Sequence, residues 1–266
     1  MRNRVLILCL LLIIFSILYW KSPIIEGLDE QTKRKIFVVN LDKDTDRFSK
    51  FIKHYDASDM KSIPIERYPA INGKDVASDK WLTDDALNEM YLTEKNGYRT
   101  HHHSLTRGGV GCFISHYNLA KKLTTDKNAT EYLIFEDDTN ILHKTDSKMN
   151  ELLENAPNDW DIILFYTIRA VGHSENDHFN KMKSFWGMNG YIINKKGAQK
   201  LIDEVDKNKV DGQIDCYMSK MIQQGKLTVY STKKQLVKCN SNDTNIQVLL
   251  KPVVGIDPYD YHGYKV

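Results

Sequence analysis

Short apolar runs, each ending on a polar or acidic residue, recur along this chain and set its rhythm. Lys35-Ile36-Phe37-Val38-Val39-Asn40 and Tyr132-Leu133-Ile134-Phe135-Glu136 are the clearest. An unbroken apolar run of this length fits a strand buried on both faces, as in a parallel sheet. Trp160 to Phe165, Gly190 to Ile193 and Leu227 to Ser231 follow the same pattern. Ile63-Pro64-Ile65 is edge-like, because proline cannot donate to a ladder. Between the runs the period changes to 3.6. Helices are expected over Thr45 to Tyr55 with Thr45 as N-cap, Thr83 to Tyr91 with Asp84 and Asp85 in the first turn, and Gly111 to Leu123. Further helices are expected over Ser147 to Glu154, Lys195 to Val205 and about Gln213 to Gln224. Glu94 to Arg107 is polar and reads as a mobile loop, whose His101-His102-His103 is a metal-binding triplet or, without spaced partners, a solvated one. Strands alternating with helices argue one α/β domain with a mostly parallel sheet.

The second run carries the chemistry. It leads into Glu136-Asp137-Asp138, and ligands of open α/β sheets bind beyond the carboxyl ends of strands. Successive side chains alternate in direction, so Glu136 and Asp138 share a face and Asp137 points away. Clustered carboxylates suit a hard divalent cation, Mn²⁺ or Mg²⁺. A helix N-terminus or a solvated turn explains the same triplet without metal.

Composition bounds the rest. The 266 residues carry a formal net charge of +2 and 41% hydrophobic residues, enough for a packed core, with no long basic run to suggest a nucleic-acid partner. Met1-Arg2-Asn3-Arg4 precedes an uncharged run from Val5 to Trp20. No small residues mark a cleavage site, so residues 1–22 are expected to be an uncleaved signal-anchor helix and 23–34 a stem. The domain, residues 35–266, would then be lumenal or extracytoplasmic, as in a single-pass type II membrane protein. Lys21, Lys33, Arg34 and Lys35 run against the positive-inside rule. Two sequons, Asn128-Ala129-Thr130 and Asn242-Asp243-Thr244, agree with that side. Beyond Cys9, only Cys112, Cys216 and Cys239 remain, allowing at most one intrachain disulfide and showing no zinc-site spacing.

Several motifs come in one order: Asn40-Leu41 with Arg47 downstream; Arg67-Tyr68-Pro69-Ala70-Ile71-Asn72-Gly73; and Leu105-Thr106-Arg107-Gly108-Gly109-Val110-Gly111-Cys112-Phe113-Ile114-Ser115-His116. Glu136-Asp137-Asp138, Gly187-Met188-Asn189-Gly190-Tyr191-Ile192-Ile193 with Gly197-Ala198, and Ile214-Asp215 follow. This series, over roughly residues 34 to 235, resembles glycosyltransferase family 25, which includes bacterial lipooligosaccharide glycosyltransferases and collagen β-galactosyltransferases. The resemblance implies a GT-A-like (Rossmann-like) fold, a nucleotide-sugar donor and inversion at the anomeric carbon. It departs from the family at Gly109, where a Glu is usual, and at Gly187-Met188, where Gly-Thr is common.

On this basis Glu136 and Asp138 are the metal candidates. Asn40, Arg47, Ser115, His116 and Asp137 are candidates for the donor. Asp215 is the first candidate for a catalytic base and Asp211 the second, while Trp186 and Tyr191 are candidates to stack on an acceptor sugar. The bland readings are a helix-anchoring Arg47, a satisfied core His116, a core Tyr191 and a helix-start Asp215. The expected donor is UDP-galactose or a related hexose, and the acceptor a glycan, glycolipid or hydroxylated polypeptide. A non-catalytic binding or adhesion protein on the same fold is the alternative, and a metal-dependent phosphotransferase or phosphatase a weaker one.

Overall fold

The computed structural model describes residues 33–239, 248–261 and 264–265. The expected anchor and stem lie almost wholly outside these residues, as does the sequon at Asn242. Among the described residues no helix is long and apolar enough to cross a membrane.

In chain order the elements are β1 (Arg34–Asn40), α1 (Thr45–Asp56), β2 (Ile65–Pro69), α2 (Asp84–Asn96), β3 (Tyr98–Arg99), α3 (Arg107–Thr125), β4 (Glu131–Glu136), β5 (Thr139–Ile141) and α4 (Thr145–Leu153). There follow β6 (Ile162–Leu164), β7 (Arg169–Ser174), β8 (Phe179–Trp186), β9 (Gly190–Asn194), α5 (Lys195–Asn208), α6 (Ile214–Gln223), β10 (Val229–Thr232), β11 (Val237–Cys239), β12 (Leu249–Leu250) and β13 (Asp260–Tyr261).

Eight strands form the central sheet in the order β2-β1-β4-β9-β6-β10-β8-β7. The expected edge strand is indeed at one edge, shifted to begin at Ile65. β8 and β9 run against the other six. The mostly parallel sheet expected from the sequence is therefore corrected to a mixed one. β9 lies antiparallel between β4 and β6, with Ile134 opposite Tyr191 and Ile163 opposite Ile192.

Alternating residues of the apolar runs feed two cores, as the period of two requires. Phe37, Tyr132, Ile134, Ile162, Tyr191 and Ile193 pack beneath α2, α3, α5 and α6. Ile36, Val38, Leu133, Phe135, Ile163 and Ile192 pack beneath α1 and α4. The sheet is thus covered on both faces, which is why these strands are apolar throughout.

Four local expectations change. Thr45 is the first residue of α1 rather than its cap; Asp44 precedes the helix without a side-chain capping bond. Helix α3 starts at Arg107, four residues early, where the Thr106 side chain accepts from Gly109 N. The expected mobile loop is largely ordered structure: α2 runs to Asn96 and closes on left-handed Gly97, β3 pairs with β12, and His103 and Ser104 are buried. The apolar run at Leu227 to Ser231, expected as the last strand, is followed by β11, which pairs with β5. Cys112, Cys216 and Cys239 are free thiols.

Candidate active site

β4 delivers its acidic end to the carboxyl edge of the sheet, where Asp137 and Asp138 form a turn into β5. Asp137 is buried, and its carboxylate accepts from Asn40 Nδ2 at 2.7 Å and pairs with Arg47 at 2.5 Å. Asn40 is itself fixed, because its Oδ1 accepts from Arg67 Nε at 2.8 Å. Glu136 and Asp138 turn the other way, and Asn189 Nδ2 donates to both, at 3.2 and 2.6 Å. Arg47 reaches Asp138 at 3.4 Å.

Asn189 reaches this place because β9 is reversed. The start of β9, not its end, lies beside the end of β4, and Glu136 N donates to Asn189 O at 2.9 Å. Gly187 precedes it with φ +77°, a backbone state that disfavours any side chain.

Two compartments meet at Glu136 and Asp138. The first is a cleft of about 790 Å³, open to solvent, lined among others by Asn40, Arg47, Asn72, Gly108, His116 and Asp137. Its wall is a backbone-on-backbone contact. A Cβ on Gly73 would lie 1.7 Å from Arg107 O, and one on Gly111 2.3 Å from Ile71 O. Only glycines let the 70–73 loop lie against the first turn of α3. The second compartment is lined by His102, Gly109, Arg169, Trp186, Asp215 and Tyr259, and shares Cys112, Glu136 and Asp138 with the first.

Asp215 is half-buried in the first turn of α6, where its two oxygens accept from Gly187 N at 2.9 Å and Cys216 N at 2.8 Å. Burial raises its pKa, while those two amides oppose the rise. Burial, and next the Glu136 charge, push Asp138 up to about 7 against the pull of Arg47. Such crowded negative charge, with Arg47 as its nearby cation, is the electrostatic setting in which a divalent cation is stabilised.

His116 supports that fit. It is 1% exposed, and its Nδ1 lies 2.8 Å from the Tyr191 hydroxyl. Nε2 is buried without a hydrogen bond, although Glu136 Oε1 is 3.3 Å away. Ligands about 2.1 Å from an octahedral ion stand about 3 Å apart, so the two atoms have the separation of neighbours on one ion. Cys112, His116 and Glu136 present ligand atoms within 4.8 Å of one another. Glu136 and His116, with Cys112 beside them, therefore present donors that fit a borderline cation, and Asp138 shares Asn189 with Glu136.

A family model described as "Glycosyltransferase family 25 (LPS biosynthesis protein)" matches residues 33–218. The chain belongs to glycosyltransferase family 25. It is 29% identical over 192 residues to a "Glycosyltransferase 25 family member" of Anopheles gambiae, covering 68% of this chain and 31% of that protein. It is 30% identical over 194 residues to human "Procollagen galactosyltransferase 2", covering 68% and 28%. The chain thus spans under a third of the length of these relatives. Among solved structures, the apo glycosyltransferase GlyE of Streptococcus pneumoniae aligns with a TM-score of 0.38 at 14% identity, over 74% of this chain and 45% of that one.

Within this family-25 domain, the expected site residues divide. Asn40, Arg47, Glu136, Asp137, Asp138, His116, Trp186 and Asp215 all line one compartment or both. Three expectations are corrected. Ser115 is buried, donating to Gly111 O and accepting from Ile71 N, so it braces the glycine contact and lines neither compartment. Tyr191 is core, and it orients His116 instead of meeting a sugar. Asp211 is held by Lys220 and by the Tyr261 hydroxyl and lines neither compartment.

The histidine triplet is not solvated. His102 packs edge-on against Trp186 with ring centroids 3.9 Å apart, and burial beside Arg99 lowers its pKa to about 4. Its neutral ring forms part of the second compartment. Asn189, Arg67, Arg169 and Tyr259 escaped sequence reasoning as site residues. Asn189 and Arg67 lie inside the family-like motifs, so their signal is present in the sequence; Tyr259 sits in a Tyr-rich tail with nothing to mark it.

Proposed function

We propose that this domain transfers a hexose, galactose foremost, from a UDP-linked donor to an acceptor hydroxyl with inversion. The observation carrying this reading is the pair of compartments joined at Glu136 and Asp138, one glycine-walled and lined by Arg47 beside the carboxylates, the other aromatic and holding Asp215. A GT-A-like arrangement of this kind needs the donor on one side and the acceptor on the other. Galactose is favoured by likeness to the human procollagen galactosyltransferase.

In the first compartment Arg47 and the amide-rich start of α3 at Gly108 face the diphosphate position. Asn40 and Asp137, locked by Arg67 and Arg47, offer fixed polar groups to the nucleoside. A bound Mn²⁺ or Mg²⁺, held by Glu136, Asp138 and His116, would supply Lewis-acid stabilisation of the leaving diphosphate. In the second compartment Asp215 takes the proton from the acceptor hydroxyl as its oxygen attacks the anomeric carbon. The sugar–phosphate bond breaks on the opposite face. Burial makes Asp215 more basic than an exposed carboxylate, which suits that role. Trp186, His102 and Tyr259 exclude water and offer ring faces to the acceptor.

The direct test is a thermal-shift screen of residues 33–266 against nucleotide sugars with and without Mn²⁺, followed by a transfer assay. The matching donor raises Tm by mass action only when the cation is present. No response to any nucleotide sugar would defeat the proposal; donor and cation binding without turnover would favour the non-catalytic alternative.

The ligand assignment has its own readout. Mn²⁺ bound to the domain is expected to show ¹⁴N hyperfine coupling from His116, lost in His116→Ala. Tyr191→Phe should weaken Mn²⁺ binding by about 10–100-fold, because the hydroxyl that fixes the imidazole tautomer is gone. Unchanged coupling in His116→Ala would remove His116 from the cation.

Gly109 lines the acceptor side. Gly109→Glu is therefore expected to change acceptor KM and kcat while donor affinity stays within about twofold. A large loss of donor affinity would contradict the division of compartments. The reading also includes a type II anchor over residues 1–22; digestion of the domain from the cytoplasmic side of sealed vesicles would overturn that part alone.

A further inference from the structure

His101, His102 and His103 lie in a bend and turn that Ser104 N closes by donating to His101 O at 3.4 Å. His102 faces Trp186. The other two rings stack with centroids 5.2 Å apart and 28° between planes. Both converge on a single carboxylate of α2: Glu89 Oε1 lies 3.4 Å from His101 Nδ1, and Glu89 Oε2 lies 3.9 Å from His103 Nε2. The three residues present ligand atoms within 4.8 Å of one another.

We propose that Glu89, His101 and His103 form a zinc site that fastens the 100–106 loop to α2. Tetrahedral zinc holds nitrogen and oxygen ligands at about 2.0–2.2 Å, so its ligands stand about 3.3 Å apart. The His101–Glu89 distance already has this value, and the His103 contact shortens by about half an ångström. His103 is 5% exposed, so it enters the site already desolvated. The Ser104 hydroxyl donates to Glu89 Oε1 at 2.5 Å, the kind of outer contact that aims a ligating carboxylate. The Thr100 hydroxyl, 3.1 Å from His101 Nδ1, turns aside when metal binds. Two imidazoles and one carboxylate are a borderline set that favours Zn²⁺ over Mg²⁺, Ca²⁺ or Mn²⁺, which prefer oxygen. A fourth position is left to water.

The site is separate from Glu136 and Asp138 but connected to the acceptor side. His102 O accepts from Arg99 and from Gln213 Nε2, at 2.9 and 3.1 Å, and Gln213 N donates to His103 O at 3.2 Å. Gln213 caps α6 two residues before Asp215. His102 N also donates to Pro258 O at 2.8 Å, beside Tyr259. Zinc at Glu89 would stiffen the wall against which an acceptor rests.

The test uses tag-free, chelator-treated protein, wild type and Asp138→Asn, the latter to silence the other cation site. Zn²⁺ is added, excess removed, and metal content and Tm are measured. One zinc per chain is expected in Asp138→Asn and at least one in wild type, with a raised Tm in both. Zinc affinity should fall at least about a hundredfold in Glu89→Gln and in His101→Asn, and about tenfold in Ser104→Ala. His101 is partly exposed, so its variant tests the site even if Glu89→Gln fails to fold. No retained zinc, zinc retained equally by these variants, or a Tm that follows pH but ignores zinc would overturn the site and leave an ion pair only.

Discussion

Asp138→Asn is expected to lower sugar transfer by about 10²–10³-fold, the usual cost of removing one well-placed electrostatic partner, while making the metal-free domain more stable above pH 7. The two effects have one cause. Asp138 carries a proton in the folded state up to about pH 7, against an ordinary carboxylate value of 3.8, because it is buried beside Glu136. In the unfolded chain it ionises near the ordinary value. Folding therefore becomes less favourable as pH rises from about 4 to about 7, and the full penalty stands above 7. Asparagine keeps the oxygen that accepts from Asn189 and never ionises, so the penalty disappears. At pH 8 in chelator the variant should melt higher than wild type, by roughly 2–4 °C per kcal/mol gained in a domain of this size. Below pH 4 the difference should vanish. Mn²⁺ should reverse the order at pH 8, since only the wild type binds it well. A variant that melts lower at pH 8 in chelator, or retains normal turnover with Mn²⁺, would refute this account of Asp138.

Asp215→Asn is expected to reduce kcat by about 10²–10⁴-fold, the range ascribed to general-base catalysis, with donor affinity unchanged. Two backbone amides fix the carboxylate, one on each oxygen. An asparagine can satisfy one of them and confronts the other with its own NH₂, at a cost of about 1–3 kcal/mol. Part of that cost is offset by no longer burying a charge. The decisive readout is the pH profile. Wild-type kcat should decline as pH falls through the raised pKa of Asp215, because the base must be unprotonated; the residual rate of the variant should be flat there. A variant with an equally steep acid limb would show that another group accepts the proton.

Much of this site is legible in the sequence. Tyr132 to Asp138 declares both a buried strand and an acidic end, and alternation alone sets Asp137 apart from Glu136 and Asp138. The direction of β9 was not legible. An antiparallel strand buried between two neighbours is as apolar as a parallel one, so Gly190 to Ile193 carries no mark of its reversal. Nor was the hairpin of β7 and β8, because β7 is exposed along its whole length and shows no alternation. Ser115 and His116 illustrate a different limit. Both are buried on one helix within one motif, yet one braces a backbone contact and the other aims a nitrogen at Glu136. Spacing gives the face of a helix, not which atoms remain uncommitted once neighbours have packed.

The two compartments also divide the chain along its length. Every residue lining the first lies between Val39 and Asp138, whereas the second draws mostly on Ile168 to Tyr259. The family match ends at residue 218, so Tyr259 and the tail that carries it lie beyond it. On the proposed reading, drift in the later half would retune which hydroxyl is recognised while the earlier half kept its nucleotide. A donor-handling front joined to a replaceable acceptor-handling back would let one lineage diversify its products.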